Sequence, residues 1–369
     1  MKGIMIKMKY ISFYLPQFHE IPENNEWWGK GFTEWTNTKK ARPLFKGHEQ
    51  PKTPLNENYY DLNLVETMEW QVSIAKKHGI YGFCFYHYWF NGKRLLEKPL
   101  INYLNNKHID FPFCLSWANE PWTRSWDGGE KDILMPQSYG DAKEWKQHFE
   151  CLYEYFVDPR YIRMDNKPVL LIYRPSSIAN CAKMLKFLNE LALSKGLKGI
   201  YFIETIGGFD NKFIDGFQAS VEFEPMYTIY RALPFKAKHL SYRIIRKLGI
   251  KMGIDPQLFL YKVDYDEIWN YITNRKIKQR RTKHFLGSFV SWDNTARKKE
   301  AGLVVKNSSV EKFLKYNKLQ IERSKKIDSE FIFINAWNEW AEGTYLEPDT
   351  LNGYGYLEAL GKLIRKERE

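Results

Sequence analysis

Near its C-terminus the chain reads FINAWNEWAEGTYLEPD, from Phe333 to Asp349. The stretch begins apolar, as a buried strand does. It then sets Glu339 and Glu342 three residues apart, among Trp337, Asn338 and Trp340, with Glu347 further on. Carboxyl groups at this spacing fall on one side of a helical turn, so both can face one space. Two close carboxyls cannot both ionise freely. Their pKa values separate, which leaves one as proton donor and the other as base or nucleophile. Hydrolysis of a glycosidic bond uses such a pair. E-x-x-E alone is also compatible with a polar loop that caps a helix. Its place directly after an apolar run favours the catalytic reading, and Glu347 is expected on the rim.

Such a pair needs a frame to hold it. Eight short apolar runs recur: Tyr10–Leu15, Gly82–Tyr86, Phe113–Trp117, Pro168–Tyr173, Gly199–Ile203, Ala219–Phe223, Leu286–Trp292 and Phe331–Trp337. Helix-like stretches lie between most of them. DLNLVETMEWQVSIAKKHGI ends on a glycine stop signal, and IANCAKMLKFLNELALSKGL and SSVEKFLKYNKLQIERSKK show the same 3.6-residue period. Strands alternating with helices imply a parallel sheet, and eight units imply a (β/α)8 TIM barrel. The whole chain, 1–369, is expected to be one such domain. A doubly wound open sheet would carry a glycine-rich phosphate loop after its first strand, and PQFHEIPENNEWWGKGFTEW has none. Long loops are expected to cover the C-terminal face. One runs over 20–60 and carries Trp27, Trp28 and Trp35. The other is a basic insertion over about 225–284.

In a barrel the site forms at the C-terminal ends of the strands. Those ends carry Tyr14, Gln17, His19, His87, Tyr88, Trp89, Trp117, Asn119, Glu120, Trp122, Glu204, Glu222, Glu224, Trp292 and Asn338. With Trp35 of the long loop, these are the expected substrate-binding residues. Tryptophan offers an apolar face to a sugar ring, and packing around the rim is the competing role. Glu222 and Glu224 share one strand face, where they can bind sugar hydroxyls or pair with an arginine. His19, His87 and Glu120 come from separate strands without metal-type local spacing, so no metal and no cofactor are expected. DYD at Asp264–Asp266 precedes a helical pattern and reads as an N-cap rather than a metal–nucleotide motif.

Composition bounds the classes. The chain has 369 residues, 44% hydrophobic, 27% charged and 17% aromatic, with 13 tryptophans. It can bury a core and is not disordered. Net charge is +12, concentrated between Arg231 and Lys251 and in NRKIKQRRTKH. No nucleic-acid module surrounds these residues. They read as a solvated basic face, with peripheral contact to an anionic membrane surface as the alternative. Four cysteines without CxxC spacing argue against zinc and a disulfide scaffold. The N-terminal residues are too broken by lysine for a signal peptide, and no run approaches a membrane span. A cytoplasmic protein is expected.

The chain resembles the WbsX-type proteins, relatives of glycoside hydrolase family 99. FYLPQFHEIPENNEWWGKGFTEWTNTKKARPLFKGHEQP, GFCFYHYWFNG, LSWANEPWTRSWDG and NAWNEWAEGTYLEPD carry the likeness, which spans nearly the whole sequence. The resemblance implies a (β/α)8 barrel that cleaves α-mannosidic bonds with retention and without a metal. It implies that Glu339 deprotonates the sugar 2-hydroxyl, so that a 1,2-anhydro intermediate forms. It implies that Glu342 is the general acid and then the base that activates water. The substrate would be a poly- or oligosaccharide of α-manno or α-rhamno configuration. WbsX-type proteins accompany bacterial surface-polysaccharide genes and have been labelled glycosyltransferases. A transferase in O-antigen or capsular polysaccharide biosynthesis and a non-catalytic glycan-binding assembly protein are therefore the alternatives.

Overall fold

The computed structural model describes residues 7–124, 129–209, 211–278 and 281–367. Eight parallel strands close into a barrel: β1 (Lys9–Tyr14), β2 (Gly82–Phe90), β3 (Phe113–Trp117), β4 (Lys167–Ile172), β5 (Tyr201–Ile206), β6 (Ala219–Glu222), β7 (Lys283–Phe289) and β8 (Phe331–Asn335). Each pairs with its neighbour in chain order. β8 returns to β1 with Ile332 opposite Tyr10, and β1 meets β2 with Ile11 opposite Gly82. The barrel read from alternating elements is the barrel observed.

The runs are apolar throughout because helices cover the outer face while side chains fill the inside. β2, β3 and β5 are buried at every position. The interior is aromatic. Phe13 stacks on Tyr86 with centroids 5.8 Å apart and meets Phe223 edge-on at 5.2 Å and Phe333 at 5.7 Å. Rings of this kind fill a barrel of eight strands without a pore.

The expected helices form at Val65–Lys77 (α3), Cys181–Ser194 (α6) and Val310–Lys326 (α11). Gly79 takes φ +78° just past α3, as a helix stop requires. Ser309 caps α11 by accepting from Lys312 N. Asp264 accepts from the backbone of Asp266 and Glu267 and caps α9 (Tyr265–Asn274), the role expected of DYD.

Two runs extend two or more residues past the end of their barrel strand. The seventh divides: β7 ends at Phe289, and Trp292–Asp293 turns away to pair antiparallel with Leu303–Lys306. The eighth ends at Asn335, where a cis peptide joins Asn335 to Ala336. The 20–60 connection folds into α1 (Pro22–Trp28) and α2 (Glu34–Lys40) at the barrel mouth. The basic insertion holds α7 (Met226–Arg231), α8 (Leu233–Lys251), a strand at Tyr261–Asp264 and α9. Gln279 and Arg280 of its densest basic run lie outside the described residues. All four cysteines are buried thiols.

Candidate active site

After β8 the chain makes a tight hairpin. Asn338–Glu339 pairs antiparallel with Thr344–Tyr345, and Trp340–Glu342 forms the 3-10 turn between them. The turn closes on Gly343 at φ +60°. A Cβ there would lie 2.9 Å from Asp293 Cβ and 2.9 Å from its backbone nitrogen, so only glycine fits. The hairpin is tied to β1. Trp337 N donates to Phe13 O at 2.7 Å, and the Asn338 side chain accepts from Leu15 N at 2.8 Å and donates to Leu15 O at 3.0 Å. These contacts point Glu339 and Glu342 into the mouth.

One guanidinium joins the two carboxylates. Arg297 sits on α10 (Thr295–Lys298) beyond β7. Its Nη1 donates to Glu342 at 2.6 Å and its Nη2 to Glu339 at 3.2 Å, and it also grips Glu34 of α2 at 2.6 Å. Asp293 anchors α10: one oxygen accepts from Thr295 N and Oγ1, the other from His48 and Gln50 of the long loop. Three carboxylates and one arginine thus converge from three segments of the chain: α2, α10 and the hairpin after β8.

The charges shift one another. Burial pushes the Glu339 carboxyl well up, Glu342 and Glu34 push it further, and Arg297 pulls it back. Burial also raises Glu34, against the pull of Arg297. Arg297 stands well above its ordinary range. Burial opposes its charge, and the surrounding glutamates outweigh that. Buried carboxyls raised beside an arginine in a cleft are the electrostatic pattern of a functional site.

The pair opens on a cavity of about 570 Å³ at the C-terminal strand ends. Tyr86, Tyr173 and Phe223 form its aromatic floor. Tyr88, Trp122 and Trp292 stand on the walls with Gln17, Glu120 and Arg174, and Asn24, Trp27 and Trp28 come from α1. Glu120 pairs with Arg174 at 2.5 Å. Burial raises its carboxyl, with Arg174 acting against this. The Asn24 amide and Trp292 Nε1 are buried with no protein hydrogen-bond partner, which leaves hydrogen-bonding capacity at the cavity wall.

Of the expected binding residues, Gln17, Tyr88, Glu120, Trp122 and Trp292 line this cavity together with Glu339 and Glu342. The others lie elsewhere. His87, Trp89 and Trp117 point outward from β2 and β3 and surround His148 of α5 (Ala142–Phe156). His87 Nε2 is 3.0 Å from His148 Nε2, and Trp89 stacks on the His148 ring at 4.8 Å. Burial lowers His87 to about 3. Tyr14 also points outward and donates to Gln71 at 2.6 Å. Trp35 packs between Phe18 and Trp340. His19 is buried beside the long loop, and burial lowers it to about 4.

Asn119 clamps β3 to β4 through the backbone N–H and C=O of Arg174, as Asn338 clamps β8 to β1. Glu204 is held by Arg281 at 2.9 Å. Glu222 and Glu224 both meet Arg275, at 2.5 and 2.7 Å, which realises the arginine alternative for that pair. Arg275 and Arg281 belong to the basic run, so part of it is internal counter-charge rather than a solvated face. Glu347 is not on the rim. It is buried and accepts from Tyr60, Gln71 and Trp340 at 2.8, 2.6 and 2.6 Å, and burial raises it to about 7.

Arg297, Glu34 and Asn24 were not among the expected residues. Strand alternation is the signal that sorts the rest. Leu15 and Gln17, Tyr86 and Tyr88, and Ala118 and Glu120 face the cavity, while Tyr14, His87, Trp89 and Trp117, of the other parity, pack outward.

The sequence matches the family described as "Glycosyltransferase WbsX" over residues 10–360. The chain belongs to the WbsX family. It is 34% identical over 362 residues to the uncharacterized protein WxcX of Xanthomonas campestris pv. campestris, covering 96% of this chain and 49% of that protein. The WbsX chain therefore spans about half the length of the curated relatives it matches. Among solved structures it resembles the GH99 endo-alpha-mannosidase from Bacteroides thetaiotaomicron, with a TM-score of 0.54, 12% identity and 97% of each chain covered. A glycoside hydrolase-like protein aligns with a TM-score of 0.60 at 11% identity, covering 97% of this chain and 94% of that one. At these identities the likeness establishes the shared barrel fold. Among the described residues no cluster of His, Cys, Asp and Glu is arranged to hold a metal ion, and no helix is long and apolar enough to cross a membrane.

Proposed function

We propose that this WbsX chain is a retaining glycoside hydrolase acting on α-linked manno- or rhamno-configured sugars of a poly- or oligosaccharide. The observation that carries the reading is the bridging of Glu339 and Glu342 by one guanidinium on an aromatic cavity at the barrel's C-terminal face. Trp122, Trp292 and Tyr88 offer flat faces to pyranose rings, and Gln17 and Asn24 offer polar groups to hydroxyls.

The buried Glu339 carboxylate takes the proton from the sugar O2. O2 attacks C1, the glycosidic C1–O bond breaks, and the leaving oxygen takes the proton of Glu342. A 1,2-anhydro sugar results. Glu342, now a carboxylate, removes a proton from water, which attacks C1. O2 leaves C1 and recovers its proton from Glu339. Two inversions at C1 give net retention. Arg297 holds both carboxyls in place through the cycle and tempers the rise that burial imposes on Glu339.

A panel of α-mannosyl and α-rhamnosyl oligosaccharides tests this, read by reducing-end release and by NMR of the first anomer formed. Glu339→Gln and Glu342→Gln are each expected to lose about 10²–10⁴-fold in kcat while sugar binding survives. Full activity in both variants refutes the assignment. The family's description favours a second reading, transfer from a sugar donor. Tight nucleotide-sugar binding in calorimetry, with no sugar released from the panel, supports transfer and counts against hydrolysis.

A further inference from the structure

We infer that α8 is an interfacial helix that seats the protein reversibly on an anionic membrane surface, beside the barrel mouth. Between Leu233 and Lys251 the sequence carries Lys236, Lys238, Arg243, Arg246, Lys247 and Lys251 and not one acidic residue. Only Phe235 and Gly249 of this helix are buried. They mark the face that packs inward. Phe235 meets Tyr271 of α9 at 5.6 Å, and Tyr242 meets Tyr261 at 5.1 Å.

The opposite face is apolar and open. Leu233, Leu240, Ile244 and Leu248 recur at spacings of seven and four, which is one helical stripe. They are 78%, 56%, 53% and 54% exposed. Ile245 lies alongside, Met252 continues the stripe past the helix end, and both are exposed. A stripe of large aliphatic residues in water is uncommon on a protein without a partner for it. Arg243, Lys247 and Lys236 form a flank along one edge of this stripe.

That layout fits a helix lying in the plane of a bilayer surface: apolar side chains in the acyl boundary and cations at the headgroups. Charge complementarity selects the occupant. A second copy of this chain would bring a like-charged α8 against this one, and an anionic lipid surface answers both the stripe and the charge. The helix also adjoins the mouth. His239 of α8 packs against Tyr230 with centroids 5.0 Å apart, and Tyr230 lines the cavity. A bilayer under α8 therefore brings the mouth close to glycans carried at that surface.

Vesicle co-flotation with the full chain tests this. The protein is expected to float with vesicles of phosphatidylcholine containing about 30% phosphatidylglycerol, to float poorly with phosphatidylcholine alone, and to lose binding as salt rises. Leu240→Ser/Ile244→Ser/Leu248→Ser is expected to weaken binding more than tenfold. Arg243→Gln/Lys247→Gln should weaken it by about fivefold per residue at low salt. All five positions are exposed, so the circular dichroism and melting of both variants should match wild type. Glu339→Gln should bind vesicles like wild type, which separates this outcome from the fate of the hydrolase reading. No flotation with anionic vesicles, equal flotation of the variants, or a dimer in sedimentation that the triple substitution dissolves would each overturn the inference.

Discussion

Arg297→Gln removes the single guanidinium on which Glu34, Glu339 and Glu342 converge. Glu34 meets it at 2.6 Å with no exposed side-chain surface, Glu342 at 2.6 Å with 22%, and Glu339 at 3.2 Å with 7%. Water screens Glu342, so the loss falls mainly on Glu34 and Glu339. Breaking a buried ion pair from one side costs about 3–5 kcal/mol, because the abandoned charge stays buried. With an unfolding entropy of about 2.1 cal/mol/K per residue, that lowers the melting temperature by about 4–6 °C for a chain of this length. The loss depends on pH with a definite sign. Glu34 and Glu339 are both raised by burial. A carboxyl raised in the folded state holds a proton that the unfolded chain has already released. The stability these two groups contribute is therefore fullest below the unfolded pKa of about 4.3 and is lost as pH rises through the folded value. Removing Arg297 raises both groups further and extends that fall upward. Calorimetry near pH 8 should show the full deficit, and near pH 5 a smaller one, since protonation relieves the abandoned charges. The acid limb of any glycosidase pH profile should move upward as well, because Glu339 must be deprotonated to act. A deficit below about 1 kcal/mol near pH 8, or an equal deficit at both pH values, refutes the account of Arg297 as the buried counter-charge.

Gly343→Ala places a Cβ 2.9 Å from the Asp293 backbone in a left-handed conformation. A loss of about 2–4 kcal/mol is expected in urea unfolding, together with reduced turnover as the Glu342 turn shifts. Wild-type stability with reduced turnover would mean that the turn relaxes without strain. Glu347 is raised to about 7 by burial, so it costs the wild type stability as pH rises from about 4.3 to 7. Glu347→Gln should flatten that part of the stability–pH curve. An unchanged slope would assign it to other groups.

The barrel was legible because a parallel strand covered on both faces must be apolar along its whole length. Eight such runs stand out from amphipathic helices between them. The Glu339–Glu342 pair was legible for a related reason: it follows directly on one of those runs, and short-range geometry alone points both groups one way. The seventh run misled because Val290 and Trp292 continue the apolar pattern after the chain has left the barrel. There it pairs with Leu303–Lys306, and apolar character does not say which sheet a residue joins.

Arg297 was not legible, and the reason is general. It sits in a four-residue helix inside the basic stretch ARKK, where local sequence offers a solvated charge. Its role exists only because α2 and the β8 hairpin bring carboxylates to it from positions 263 and 42 residues away. Arg275 and Arg281 show the same thing at β6 and β5. Charge runs are read along the chain, but counter-charges are assigned across it. The outward histidines and tryptophans are a different case, because information in the sequence was sufficient. Tyr86 and Tyr88 face the cavity, so His87 and Trp89 face α5 by alternation alone. A strand-end residue has a claim on a barrel site only when its parity matches that of the residues filling the interior below it. Applied to β1, β2 and β3 here, that condition keeps Gln17, Tyr88 and Glu120 and removes Tyr14, His87, Trp89, Trp117 and Asn119. His19 shares the parity of Gln17 but lies five residues past the end of β1, where the pleat no longer orders the chain, and it does not line the cavity.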